Sequence, residues 1–283
     1  MKTAHRRGLS IALMAVTLMA VVVTAFAQGT FGRGFGRFGR MPPRFRPAEH
    51  TDRAFAFCRL MYESVRREPA GSGWRTDYPY ADINFMIRAS ELTKAHVSLN
   101  GKGDPNHWVV RLTDDALFDC PFLMTSDVGT IGLAADEVTR LREYLLKGGF
   151  LWVDDFWGTA AWQQWTQEIA RVLPAAQYPI IDAPLDHVVF KTLFNVEKVP
   201  QITNIGFWRQ VDGSTTSERG SDSAEAHLRI ITDVHGRIMV LMTHNTDVAD
   251  SWEREGEDPD FFRSFSPNGY ALGLNVLLYA LTH

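Results

Sequence analysis

Cysteine is almost missing from this chain: only Cys58 and Cys120 occur in 283 residues. Two cysteines cannot supply a paired CxxC zinc centre. There is also no HExxH helix and no calcium loop of regular acidic spacing, so the sequence assigns no metal. Phosphate-cradling loops are absent as well, because the glycines of FGRGFGRFGR lie in a low-complexity stretch and not between a strand and a helix. No nucleotide cofactor is assigned. Basic residues are outnumbered, 29 Lys and Arg against 33 Asp and Glu. That balance argues against a nucleic-acid partner, whose binding rests on clustered positive charge. The chain shows no internal repeat, which removes the solenoid and propeller classes.

What is present begins with a tripartite N-terminus. Lys2, Arg6 and Arg7 precede an apolar run from Ile11 to Val23, and Ala25-Phe26-Ala27 supplies a small-x-small cleavage pattern. The run is shorter than the roughly 20 residues that span a bilayer, so residues 1–27 read as a cleaved signal peptide and the protein as exported, periplasmic or extracellular. Cleavage removes three bases and no acid, which leaves 26 basic against 33 acidic residues and a net charge near −7. Residues 28–50, rich in Gly, Phe, Arg and Pro, read as a disordered linker. Its Arg33, Arg37, Arg40, Arg44 and Arg46 suit weak contact with anionic surfaces such as phospholipid headgroups, although a solvated tether is the plainer reading. Cys58 lies inside the strand-like FAFCRLMY and Cys120 just before PFLMTS. Two small buried residues are favoured over a disulfide.

From residue 51 to 283 the pattern is one domain of alternating strands and helices. Strands are expected over residues 55–62, near 96–99 and 108–112, over 121–126, and at FLWVDD. YADINFMIRASEL, ADEVTRLREYLLKGG and TAAWQQWTQEIARVL carry helical spacing, the last with Ala161, Trp165, Ile169 and Val172 as its buried stripe. HLRIITD and RIMVLMTH flank a turn at His235-Gly236 like a hairpin, and residues 270–281 form a closing helix. The fold class is therefore α/β: a mostly parallel sheet with helices on both faces and ligand space at the carboxyl ends of its strands.

The chemistry-bearing residues follow strand ends. Asp154 and Asp155 close FLWVDD, where a strand turns into a helix. Aspartate there can serve as nucleophile, base or ligand group, or cap the turn with its side chain. PLDHVVF sets Asp186 beside His187, a candidate acid–base imidazole. THNTDVADSWE brings His244, Asn245, Asp247 and Asp250 after another strand, and Asp77 and Tyr78 precede the first helix. Asp154, Asp155 and His187 are the catalytic candidates. Asp77, Tyr78, Asp186, His244, Asn245 and Asp247 are the ligand-binding candidates.

WRTDYPYADINFMIRASELTKAHVSLN, PFLMTSDVG, LREYLLKGGFLWVDDFWG, LDHVVF, HNTDVADSWE and GYALGLNVLLYALT, in that order, resemble the domain-of-unknown-function 4159 family. The resemblance implies a flavodoxin-like sheet of the class I glutamine amidotransferase type, related to trehalose-utilisation-like proteins. It also implies that GGFLWVDD occupies the nucleophile elbow. A working amidotransferase has cysteine there, and this chain has Asp154-Asp155, so glutamine hydrolysis does not carry over. LDHVVF is similar to a histidine loop of the trehalose-utilisation-like relatives and hints at carbohydrate. Two functions are expected from this. The first is an exported protein that binds an envelope ligand or protein partner. The alternative is a hydrolase of a carbohydrate-like substrate through Asp155 and His187, and a pure scaffold comes third.

Overall fold

The computed structural model describes residues 41–47, 50 and 52–283. The expected signal peptide, residues 1–27, and most of the expected linker, residues 28–50, lie outside these residues. The chain divides between Pro42 and Pro43, and the second unit, Pro43–His283, is compact. No helix among the described residues is long and apolar enough to cross a membrane.

A seven-stranded sheet runs through the second unit in the order β3-β1-β4-β6-β9-β8-β7. Its strands are β1 (Phe57–Met61), β3 (His107–Arg111), β4 (Phe122–Ser126), β6 (Phe150–Phe156), β7 (Ile181–Asp182), β8 (His227–Thr232) and β9 (Ile238–His244). The first five in spatial order are parallel to one another. β8 returns antiparallel to β9, and β7 is a short antiparallel edge. A separate pair joins β2 (Glu63–Ser64) to β5 (Ile131–Gly132).

Strand side chains alternate between two apolar layers, which is why the central strands read as continuous hydrophobic runs. Phe57, Phe122, Phe150 and Trp152 pack on one face with α1 (Tyr80–Leu92) and α6 (Pro259–Thr282). Cys58, Leu123, Leu151 and Val153 pack on the other with α2 (Ala135–Leu146) and α3 (Gly158–Val172). The expected stripe of α3, Ala161, Trp165, Ile169 and Val172, is buried throughout. Two short helices, α4 (Ile205–Gln210) and α5 (Asp250–Glu253), complete the unit.

Four expectations change. Cys58 and Cys120 are buried, but as a disulfide and not as free thiols. Their Cα atoms lie 6.0 Å apart because β1 and β4 are neighbours in the sheet, a pairing their separation of 62 residues hides. Residues 96–99 make isolated bridges from Val97 to Phe55 and from Leu99 to Pro105 in place of a strand. The folded unit starts before residue 51: Phe45 bridges Val109, the Val109 N–H donates to Arg44 O at 2.8 Å, and the Arg44 guanidinium lies 4.6 Å from the Trp108 ring centre. The closing helix begins at Pro259, with Asp258 accepting from the N–H groups of Asp260 and Phe261, and it tolerates Pro267 inside.

Candidate functional site

β4 and β6 finish side by side, with Ser126 opposite Asp154, and β9 ends with His244 opposite Phe156. The chain turns sharply at these ends. Asp77, Asp127, Asp155 and Asn245 all take left-handed backbone, with φ of 65°, 55°, 51° and 60°. Aspartate and asparagine accept that conformation best among residues that carry a side chain. The turns aim several carboxylates at one crevice beyond the strands, and left-handed residues of this kind concentrate at functional sites.

Asp77, Asp155 and Asp247 each place a carboxylate oxygen within 4.8 Å of the others. Asp77 and Asp247 are 7 % and 1 % exposed, and Asp155, at 9 %, reaches furthest toward solvent. A cleft with about 20 Å³ of room for water-sized occupants is lined there by Asp155, Asp247, Asp127, Glu68, Glu218 and Arg219. Among the described residues, each carboxylate of the triplet is held by one donor. Ser126 Oγ donates to Asp77 at 2.9 Å, the Trp157 indole N–H to Asp155 at 2.8 Å, and the Asp250 N–H to Asp247 at 2.8 Å.

Burial pushes Asp155 and Asp247 well above the carboxylate range, and the neighbouring charges push them the same way. For Asp155 those neighbours are Asp77, Glu218, Asp127 and Asp154; for Asp247 they are Asp155, Asp77, Asp250 and Asp154. Asp77 is raised by burial too, against the pull of Arg59. That guanidinium is fully buried and forks onto Asp82, with Nε 2.9 and 3.1 Å from the two carboxylate oxygens. Arg219, the base lining the cleft, faces Glu218 at 3.4 Å and Glu68 at 4.0 Å and donates to Pro69 O at 3.0 Å. Acids thus outnumber bases around the crevice: Arg59 is taken up by Asp82, and Arg219 is shared between Glu68 and Glu218.

The other candidates separate from this triplet. Asp154 is fully buried and structural: it accepts from Thr243 Oγ and, at 2.9 Å, from the Ala249 N–H. Neither aspartate caps α3, whose first N–H groups are met by Asn245 Oδ1 at 2.8 Å and Asp222 at 2.9 Å. Asn245 also donates to Glu225 O, so both ends of its amide are engaged. The Tyr78 hydroxyl accepts from the Arg44 N–H and its ring packs by Trp74 and His107, toward β3 and away from the cleft. His244 lies against Phe156 and Trp162, with Arg229 at 3.1 Å from Nδ1. Burial lowers it to about 4, so it is neutral at pH 7.

His187 is not brought to the aspartates. Its ring lies 5.8 Å from that of Tyr279, whose hydroxyl accepts from the Ile238 N–H at the start of β9. Asp155 is near the other end of that strand, about 20 Å away at 3.3 Å per residue. Asp186 is exposed beside His187 at the same far end. An Asp155–His187 dyad therefore has no geometry in which to transfer a proton. Sequence reading placed Asp250 with Asp247 after a strand end but missed Asp127 and Glu253. Glu253 follows Asp247 and Asp250 at helical spacing, the signal that could have found it.

Asp154→Ala tests the structural assignment. The Ala249 N–H would be left buried without an acceptor, and the variant is expected to lose about 2 kcal/mol in urea unfolding at pH 6. Unchanged stability would return Asp154 to the functional set.

The domain of unknown function (DUF4159) matches residues 56–281 of this chain. No curated protein matches it.

Proposed function

We propose that this chain, which belongs to the DUF4159 family, is an exported protein that binds a divalent cation at the carboxyl ends of its parallel strands. One observation carries the reading: the Asp77, Asp155 and Asp247 carboxylates converge within 4.8 Å beside a cleft of about 20 Å³. That is room for one water-sized occupant, whereas small organic ligands such as sugars occupy pockets of roughly 300–1,000 Å³. An all-oxygen donor set selects hard cations, calcium, magnesium or manganese. The occupant would offset the mutual repulsion of the three acids.

Several features support the wider reading. Numbered among themselves in chain order, the five parallel strands run 2-1-3-4-5, the flavodoxin-like order, in which ligands gather at the carboxyl ends. This supports the amidotransferase-like relation. Asp155 at the elbow, with both cysteines tied in a disulfide, supports the absence of glutaminase chemistry. A disulfide also suits an oxidising compartment, in accord with export after cleavage near residue 27.

Terbium luminescence tests the site, because the Trp157 indole touches Asp155 and can sensitise a lanthanide bound there. Excitation of tryptophan should give terbium emission that calcium displaces and that Asp155→Asn weakens. Calcium should also raise the melting temperature. If neither terbium emission nor a melting shift appears with millimolar calcium, magnesium or manganese, the cation reading is wrong.

A further inference from the structure

We infer that the crevice holds two cations, with Asp77 as the carboxylate they share. This rests on the cation reading above and extends it. Asp77 belongs to two triplets, one with Asp155 and Asp247 and the other with Asp250 and Glu253, and in each triplet the carboxylate oxygens lie within 4.8 Å of one another. Each carboxylate offers about four lone-pair positions, so the single hydrogen bond from Ser126 leaves Asp77 free to serve both sides.

A second observation points to an occupant on the Asp250 side. Asp250 is fully buried, and although Oδ2 accepts from the Ile205 N–H at 2.9 Å, Oδ1 accepts no hydrogen bond. A buried carboxylate oxygen without a donor is costly and uncommon. Among the described residues its cationic neighbour is Arg254, whose Nε stands 3.5 Å away and itself donates no hydrogen bond. The same Nε lies 2.9 Å from Glu253, and another guanidinium nitrogen donates to Glu257 at 3.3 Å. One guanidinium is therefore spread over three acids and leaves the innermost oxygen with a long ion pair and no hydrogen bond. Arg254 is also 26 % exposed along its side chain, so it can swing outward when an ion takes its place. The second ligand is a divalent, oxygen-preferring ion like the first. A shared carboxylate is the arrangement that holds two such ions roughly 3.5–4 Å apart.

Counting bound manganese tests this. Protein stripped with a chelator is titrated with Mn²⁺ while free ion is followed by electron paramagnetic resonance. Wild type should take up two equivalents. Asp155→Asn should keep one, Glu253→Gln and Asp250→Asn should each keep one, and Asp77→Asn should weaken both by at least tenfold. Circular dichroism identifies variants that fail to fold, and the wild-type count needs no variant. One equivalent in wild type, or two in Glu253→Gln, overturns the shared-carboxylate centre and leaves the single-cation site standing. No bound manganese in wild type overturns both.

Discussion

Replacing both Cys58 and Cys120 by alanine is expected to destabilise the folded unit by about 4 kcal/mol, because the bond closes a loop of 62 residues in the unfolded chain. For a domain of this size that corresponds to a melting temperature lower by on the order of 10 °C. The bond joins β1 to the segment just before β4, at the ends of the strands opposite the carboxylate crevice. Cation binding to the folded double variant should therefore survive, and the defect should appear in unfolding alone. Both sulfurs sit in the apolar layer over α2 and α3, so alanine leaves a small cavity whose cost adds to the loop term. A double variant that melts within about 2 °C of the native protein would mean that the unfolded chain gains little freedom when the link is cut.

How much of this could be read from the chain depends on how local each signal is. The stripe of α3 and the apolar run of β6 repeat within one element, so periodicity finds them. The closing helix reads short in the sequence because Pro267 and Gly269, just before residue 270, look like breakers. In the fold, Gly269 and Gly273 let α6 approach α5: a Cβ on Gly269 would lie 1.9 Å from Ser251 Oγ, and one on Gly273 would lie 2.4 Å from the Trp252 ring. The disulfide and the linker's docking on β3 are contacts between segments far apart in sequence, which no window reveals.

The site divides the same way. Asp155 and Asp247 are legible because aspartate after a buried strand is conspicuous. Asp77 reads as a helix-start residue, yet its side chain faces the crevice and only its carbonyl serves α1, accepting from the Ala81 N–H at 3.0 Å. Asp250 is legible in the same way, but its grouping with Asp77 and Glu253 becomes visible only in the fold. His187 shows the converse: adjacency to Asp186 says nothing about which end of a sheet a loop occupies.

The stability of the cation-free protein is expected to fall as pH rises from about 4 to about 7, the reverse of ordinary acid unfolding. Burial raises Asp127, Asp154 and Glu253 to about 7 each, and it pushes Asp155, Asp247 and Asp250 well above their usual range. In the unfolded chain these groups release their protons near 4, while the folded protein keeps them to about 7 or beyond. Between those limits the folded state binds more protons, so unfolding releases them and stability drops with rising pH. One proton held by the folded state alone is worth about 1.4 kcal/mol per pH unit, and the crowded groups share their protons and do not add independently. The stabilisation is complete below the unfolded value and gone once pH passes the folded one. Asp155→Asn removes one such proton, so its profile should be flatter by about that slope, and the variant should be the more stable protein at pH 8. Asp154→Ala should be the less stable one at pH 6, since it strands a buried donor. Calcium should restore the wild type at pH 8, because a bound cation favours the ionised carboxylates, and should restore Asp155→Asn much less. Urea unfolding of both proteins at pH 5 and pH 8, with and without calcium, reads all of these effects. If the cation-free wild type is instead more stable at pH 8 than at pH 5, the crowded carboxylates are already ionised and compensated from within the protein, and the crevice has no need of a cation.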